Sequence, residues 1–342
     1  MIIVLSLGMA ENAAHIFGPQ SEKTKADFRA YLEHSLRDPF TLNLHDCTLM
    51  EVVRICVKSK LKMHPKYADN VSSLIYNLNE LESQFHVTLQ PRQITDVFWG
   101  YFISFCQGRG MRSSSISTMC NQLRSILNWA VKYNADVSPT YGDVCFPKVS
   151  NQKIALSPDE VSRIAHFDID LFYAKRRKDF RETMRRIRDM FVLSCNLFQR
   201  HSDMVRIDPT CFERNIFSIT QQKTGQRAIV NIDQFAIDAK TTYKILEEYG
   251  YRAPYTGSIG NYNYHLRLLM KDIGFDETIR IEDRIGGKLV SNMIPKWHLI
   301  SSHTARRTAI TINVLRGHNL HAVKRCSGHA DLRTFDSYIR DE

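Results

Sequence analysis

The chain has 342 residues, 43% of them hydrophobic and 10% aromatic, which excludes global disorder and is more than one ordinary core holds, so two or three domains are expected. Its net charge of +10 points to a polyanionic partner, either nucleic acid or an anionic membrane surface. Eight cysteines without a CxxC pair argue against a secreted disulfide framework, and the opening MIIVLSLGMA is too short and lacks the basic flank of a signal peptide or membrane span, so a soluble cytoplasmic protein is expected.

Residues 1–60 read as an N-terminal extension, with short helical patterns in KADFRAYLEHSL and LMEVVRICVKSKL on either side of DPFTLNLHD. From 61 to 140 the pattern is helical. YADNVSSLIYNLNELESQF sets Val71, Leu74, Leu78, Leu81 and Phe85 at three- and four-residue steps, and ITDVFWGYFISFC and SISTMCNQLRSILNWAV repeat the stripe. About four helices are expected there. QGRGMRSSS, between two of them, reads as a flexible basic loop whose Arg109, Arg112, Ser113 and Ser114 are candidate DNA-phosphate contacts, an ordinary helix–helix loop being the alternative.

DVSPTYGDVCFPKVSNQK has two prolines, a glycine and no periodicity, which places a linker at 141–154. A second domain then opens at 155–342. Ser157, Pro158 and Glu160 spell an N-cap, a first-turn proline and a capping box. AKRRKDFRETMRRIRDMFVLSCNLFQR reads as basic helix running into apolar helix, its basic run either a solvated face or a phosphate-tracking one. NIFSITQQKTGQRAIVNI reads as a hairpin around Thr224-Gly225, and residues 241–272 and 303–340 return to helix. The expected fold class is mainly α with a small β-sheet.

Four separated stretches carry polar groups that packing does not require. Arg200 ends an apolar helix, with Asp203 as a candidate ion-pair partner. Lys223 sits beside the hairpin turn, where a plain solvated lysine is the alternative. His303 and Arg306 share one helix face at an i, i+3 spacing, at an N-terminus that Ser301 or Ser302 is placed to cap and whose free N–H groups attract phosphate. Arg307, about 100° round that helix, is expected to make a structural contact. His329 follows Gly328, and Tyr338 comes nine residues later. Cys326 and His329, near His318 and His321, lack a second pair to complete a tetrahedral zinc set, so no metal is expected.

In this order, Arg200, Lys223, His303-x-x-Arg306, Gly328-His329 and Tyr338 resemble the tyrosine recombinase, or phage integrase, family. SSHTARRT and SGHADLRTFDSYI look like the variants of Bacteroides-type integrases. The resemblance implies an all-helical, SAM-like core-binding domain followed by a mixed α+β catalytic domain. It implies site-specific cleavage and rejoining of double-stranded DNA through a 3′-phosphotyrosyl link, without cofactor, metal or ATP, in a bacterial cell. Tyr338 is then the nucleophile, Arg200 and Arg306 the donors to the non-bridging oxygens, Lys223 the acid for the leaving 5′-oxygen, His303 the proton acceptor and His329 a donor to a phosphoryl oxygen. Implied partners are a homotetramer on synapsed sites and accessory DNA-bending proteins of the host or the element. Only four residues follow Tyr338, whereas many relatives carry a further C-terminal segment that contacts a neighbouring subunit, so either control by such a tail is not expected or the chain is truncated. Residues 1–60 are a possible arm-type region, although they lack the strand-rich pattern of an arm-binding domain. A type IB topoisomerase-like or resolvase enzyme is the rival within this chemistry. A catalytically silent DNA-binding protein is the rival outside it.

Overall fold

A computed structural model describes residues 43–143, 146, 153–329 and 335. The helical pattern expected at 25–36 and the expected nucleophile, Tyr338, lie outside the described residues. The chain divides into two compact units: residues up to 148 with 284–288, and residues 149–283 with 289–342.

The first unit is a bundle of four helices among its described residues: α1 (Leu49–Leu61), α2 (Tyr67–Phe85), α3 (Asp96–Gly108) and α4 (Ser113–Val131). A capping box starts α1: Thr48 N donates to Glu51 Oε2 at 2.9 Å, and Glu51 N donates back to Thr48 Oγ1 at 3.3 Å. Val52, Val53 and Cys56 of α1 join the same core as Leu74 and Leu78 of α2 and Leu123 and Ile126 of α4. This core therefore begins near Leu44, well before the expected boundary at 61, because α1 buries its apolar face against α2 and α4. Of the five apolar positions predicted on α2, four are buried, while Phe85, beside the left-handed cap at His86, is 58% exposed.

The second unit is built around α6 (Lys178–Leu197), with α5 (Pro158–Ala165), α7 (Ala239–Glu248), α8 (Ile259–Ile273) and α9 (Ser302–Leu315) packed against it. Every residue of α6 from Asp189 to Leu197 is buried, as befits a helix covered on all sides. The expected capping box of α5 is present, with Ser157 N on Glu160 Oε2 at 2.8 Å and Glu160 N on Ser157 Oγ at 3.2 Å. Such a cap contributes about 1 kcal/mol. The expected hairpin is also present: β2 (Ile216–Thr220) pairs antiparallel with β3 (Arg227–Asn231), Phe217 opposite Val230, and the short β1 (Phe212–Glu213) adds a third strand. α10 (Leu320–Ser327) packs on β3 and α9.

One hairpin was not anticipated. β4 (Thr278–Ile285) and β5 (Lys288–Pro295) turn around Gly286 and Gly287, both at positive φ. The fold is thus mostly helical with two small antiparallel sheets. Among the described residues, no helix is long and apolar enough to cross a membrane.

Candidate active site

Three chain ends in the second unit meet at the polar residues singled out in the sequence. The first is the end of α6. Phe198 takes the left-handed conformation (φ 63°) that stops the helix, and Arg200 then follows in extended backbone. A helix end leaves carbonyls without intrahelical donors. One of them, Phe198 O, accepts from Nη1 of Arg306 at 3.0 Å.

Arg306 comes from the second segment, the start of α9. There Ser301 N donates to Thr304 Oγ1 at 3.0 Å, so the helix start is capped as expected. Arg306 is 0% exposed, whereas His303, one turn earlier on the same face, is exposed. The adjacent Arg307 donates from Nη1 to Ile154 O at 3.1 Å and so fastens the segment before α5, the structural role expected of it.

The third segment is the end of α10, where Gly328 (φ 61°) reverses the chain and presents His329. Nη2 of Arg306 lies 3.2 Å from His329 Nε2 and 3.3 Å from Nδ1. Ser327 Oγ donates to Lys324 O at 2.9 Å, so its 2.8 Å contact with His329 Nδ1 is one in which the ring N–H donates. This network assigns the neutral ring its tautomer, with Nε2 the acceptor towards Arg306.

Electrostatics tie the four residues together. Burial, then the charges of Arg306 and Arg200, with His303 and Lys324 behind them, lower the His329 pKa to about 3. Loss of hydration, then Arg307, Arg306, Arg200 and Lys153, lower that of His303 to about 4. Both imidazoles are therefore neutral at pH 7, in a field of fixed cations that favours an anion.

Asp203 is not the partner of Arg200. Its Oδ1 accepts from Arg206 Nη2 at 2.9 Å and from Gln222 N at 2.8 Å, which pins the hairpin to the helical turn 201–204. Arg200 Nη1 instead donates to Gln221 Oε1 at 2.7 Å, and no carboxylate among the described residues pairs with Arg200. Lys223 is exposed on the turn two residues after Gln221. Phe335 packs edge-on against the His329 ring, centroids 5.7 Å apart.

The four candidate phosphate contacts of the first unit are placed differently. The expected flexible loop is short, because α4 already starts at Ser113, which is 2% exposed and so unsuited to meet a phosphate. Arg109 is held by Glu80 (2.9 Å) and by the Tyr76 hydroxyl (3.2 Å), which competes with a phosphate for its charge. Ser114 is half-buried and Arg112 exposed. The basic run at 175–188 is also largely compensated: Arg185 pairs with Asp170, Arg186 with Glu182 and Arg188 with Asp189.

The sequence reading missed Gln199, Gln221 and Ser327, which knit the three segments together. No spacing rule marks a buried amide, and the only available signal was the polarity of QQ and Q at the ends of apolar runs.

No family model matches this sequence, and no curated protein is measurably similar to it. Solved structures are similar in fold. A lambda integrase dimer bound to a COC′ core site shares 14% identity over 86% of this chain and 96% of that one, with a TM-score of 0.62. A lambda integrase tetramer bound to a Holliday junction matches over 98% of this chain and 86% of that one, at 14% identity and a TM-score of 0.58. The integrase of the Tn1549 transposon, in complex with a circular intermediate DNA, matches over 85% and 94% at 12% identity and a TM-score of 0.58. What is shared at these identities is the fold.

Proposed function

We propose that this chain, built on the tyrosine recombinase fold, is a site-specific DNA recombinase that cuts and rejoins duplex DNA through a 3′-phosphotyrosyl intermediate. The observation that carries this reading is the convergence of Arg200, His303, Arg306 and His329, from three separated segments, into one cationic site. A phosphodiester repels nucleophiles, and its charge builds further in the transition state. Two guanidiniums on the non-bridging oxygens answer both problems.

Tyr338 attacks phosphorus. Its free pKa of about 10 leaves the hydroxyl protonated at neutral pH, so a proton acceptor is required. His303, neutral with a pKa of about 4, is in the state to take that proton. The P–O5′ bond breaks as the P–O(Tyr) bond forms, and Lys223, exposed on its turn, protonates the leaving oxygen. His329, held against Arg306 Nη2 at 3.2 Å, is the further candidate to contact a phosphoryl oxygen. The covalent link conserves the energy of the broken ester, so attack by a 5′-hydroxyl rejoins the strand without ATP. No residue in this scheme calls for a metal.

In this reading the helical first unit is the core-binding domain, the second unit is catalytic, and four copies act on two synapsed sites in the cytoplasm of a bacterial cell. The solved tetramer of lambda integrase on a Holliday junction supports that assembly. Nicked duplexes tiled across the DNA flanking the coding region test the function. The wild type forms a covalent adduct on one of them, and Tyr338→Phe binds the same duplex without forming it. Adducts that persist in the variant overturn the nucleophile. Binding without any wild-type adduct overturns the enzyme in favour of a silent DNA-binding protein.

A further inference from the structure

Two buried amides lie directly behind the cationic site. Gln221 is 1% exposed and Gln199 0% exposed, and both primary amides are fully engaged. Gln221 Oε1 accepts from Arg200 Nη1 at 2.7 Å and from Thr224 Oγ1 at 3.1 Å. Its Nε2 donates to Gln199 Oε1 at 2.8 Å and to Ser327 O at 2.7 Å. Gln199 Nε2 in turn donates to Leu197 O at 2.6 Å and Cys326 O at 3.0 Å. The pair therefore stitches the end of α6, the hairpin and the end of α10 into one unit.

The packing is as close as the bonding. A Cβ on Gly328 would stand 2.6 Å from Gln221 Cδ, so the backbone that presents His329 rests on the amide itself. The turn that carries Lys223 starts from the same residue, with Gln221 N on Gln226 O and Gly225 N on Gln221 O, both at 2.9 Å.

The choice of an amide has a chemical reason. A glutamate at 221 would pair with Arg200 and cancel the charge that an incoming phosphate needs. It would also be unable to donate to Ser327 O or Gln199 Oε1. A neutral acceptor fixes the direction of the guanidinium and leaves its charge for the substrate. We infer that Gln221, braced by Gln199, is the positioning residue of this site, aiming Arg200 at the scissile phosphate and fixing the Gly328–His329 turn. This rests on the phosphoryl-transfer reading above.

The experiment compares two scissile groups, using the full chain and the nicked duplex on which the wild type forms its adduct. One is the ordinary phosphate. In the other, a methylphosphonate, a methyl group replaces one non-bridging oxygen and removes the negative charge that the arginines neutralise. Gln221→Met, nearly isosteric, is expected to slow single-turnover cleavage of the phosphate by about 10²-fold, the scale of one lost oxyanion donor, with DNA affinity unchanged. On the methylphosphonate most of that deficit disappears. A merely structural role predicts equal losses on both substrates, and that result, or full activity on the phosphate, overturns the inference. Should Gln221→Met melt below the assay temperature, Gln199→Met makes the same comparison with the Arg200–Gln221 bond kept but unbraced. It must show the same substrate-dependent loss, and equal or absent losses overturn the inference again. A wild type that cleaves neither substrate defeats the underlying reading instead, and that failure is visible in its own lane.

Discussion

Nη2 of Arg306 stands 3.2 Å from Nε2 of His329, 23 residues further along the chain, while Nη1 of the same guanidinium holds Phe198 O at the end of α6. One side chain thus joins all three segments of the site, and it does so from full burial.

Removing it has two separable effects. On the proposed function, Arg306→Ala loses a phosphate donor as well as the structural tie to Phe198, so its melting temperature and its cleavage rate both fall, the rate by about 10²–10³-fold. Arg306→Lys keeps a charge but not the planar fork that reaches a carbonyl and a phosphate together, so little cleavage returns. Wild-type rates in the lysine variant, measured as adduct formation on nicked DNA, would count against the bidentate role.

Lys223 makes a contrasting case, because it is exposed on its turn. Lys223→Ala leaves the thermal melt unchanged and slows cleavage by about 10²–10⁴-fold, the range for a lost general acid. A substrate with sulfur at the 5′-bridging position restores most of the rate, since a thiolate leaves without a proton. No rescue by sulfur would mean that Lys223 does some other job.

The two histidines make stability depend on pH. Each has a folded pKa below its unfolded value of 6.5, about 4 for His303 and about 3 for His329, so protons bind the unfolded chain more readily. Their contribution is complete above pH 6.5 and is lost as the pH falls from there towards 4 for His303 and 3 for His329. Each group adds at most about 1.4 kcal/mol per pH unit to the slope. His303 adds less, because it is exposed and water screens its charge. Melts between pH 7.5 and 4.5 are therefore steeper in pH for the wild type than for His329→Gln, and inorganic phosphate flattens the wild-type curve. Parallel curves for the two proteins would remove His329 from the linkage.

Two glycines separate backbone strain from crowding. Gly225 and Gly328 have nearly the same φ, 65° and 61°, but a Cβ on Gly225 meets nothing within 4 Å, whereas one on Gly328 would lie 2.6 Å from Gln221 Cδ. Gly225→Ala costs only the left-handed backbone, about 1–2 kcal/mol. Gly328→Ala adds a clash with a buried amide and costs more, with cleavage falling alongside stability. Denaturant titration ranks the two, and equal losses would mean that the α10 end yields freely.

Much of this was legible in the sequence because it is local. The Ser157–Glu160 capping box, the stripe on α2 and the β2–β3 hairpin each follow from residues within a few positions of one another. The β4–β5 hairpin was equally local: TIRIEDRI and KLVSNMIP flank Gly286-Gly287, a two-residue turn signal that went unread. The i, i+3 spacing also put His303 and Arg306 on one face before any coordinates did.

Partner choice was not legible, and Asp203 shows why. It lies three residues after Arg200 and three before Arg206, yet it pairs with Arg206. Arg200 stands in extended backbone ahead of the helical turn, which takes its side chain off the face that Asp203 shares. Arg109 and Ser113 fared likewise, one claimed by Glu80 and the other buried where α4 begins. The sequence by itself marked Arg200, His303, Arg306 and His329 as polar groups that packing does not require, and the elements that present them, because spacing and capping act over one or two turns of chain. Only the tertiary structure decided that two glutamines hold Arg200 and the His329 turn in place. A buried amide takes its role from whichever groups surround it, and Gln221 meets its partners across 21 and 106 residues of chain.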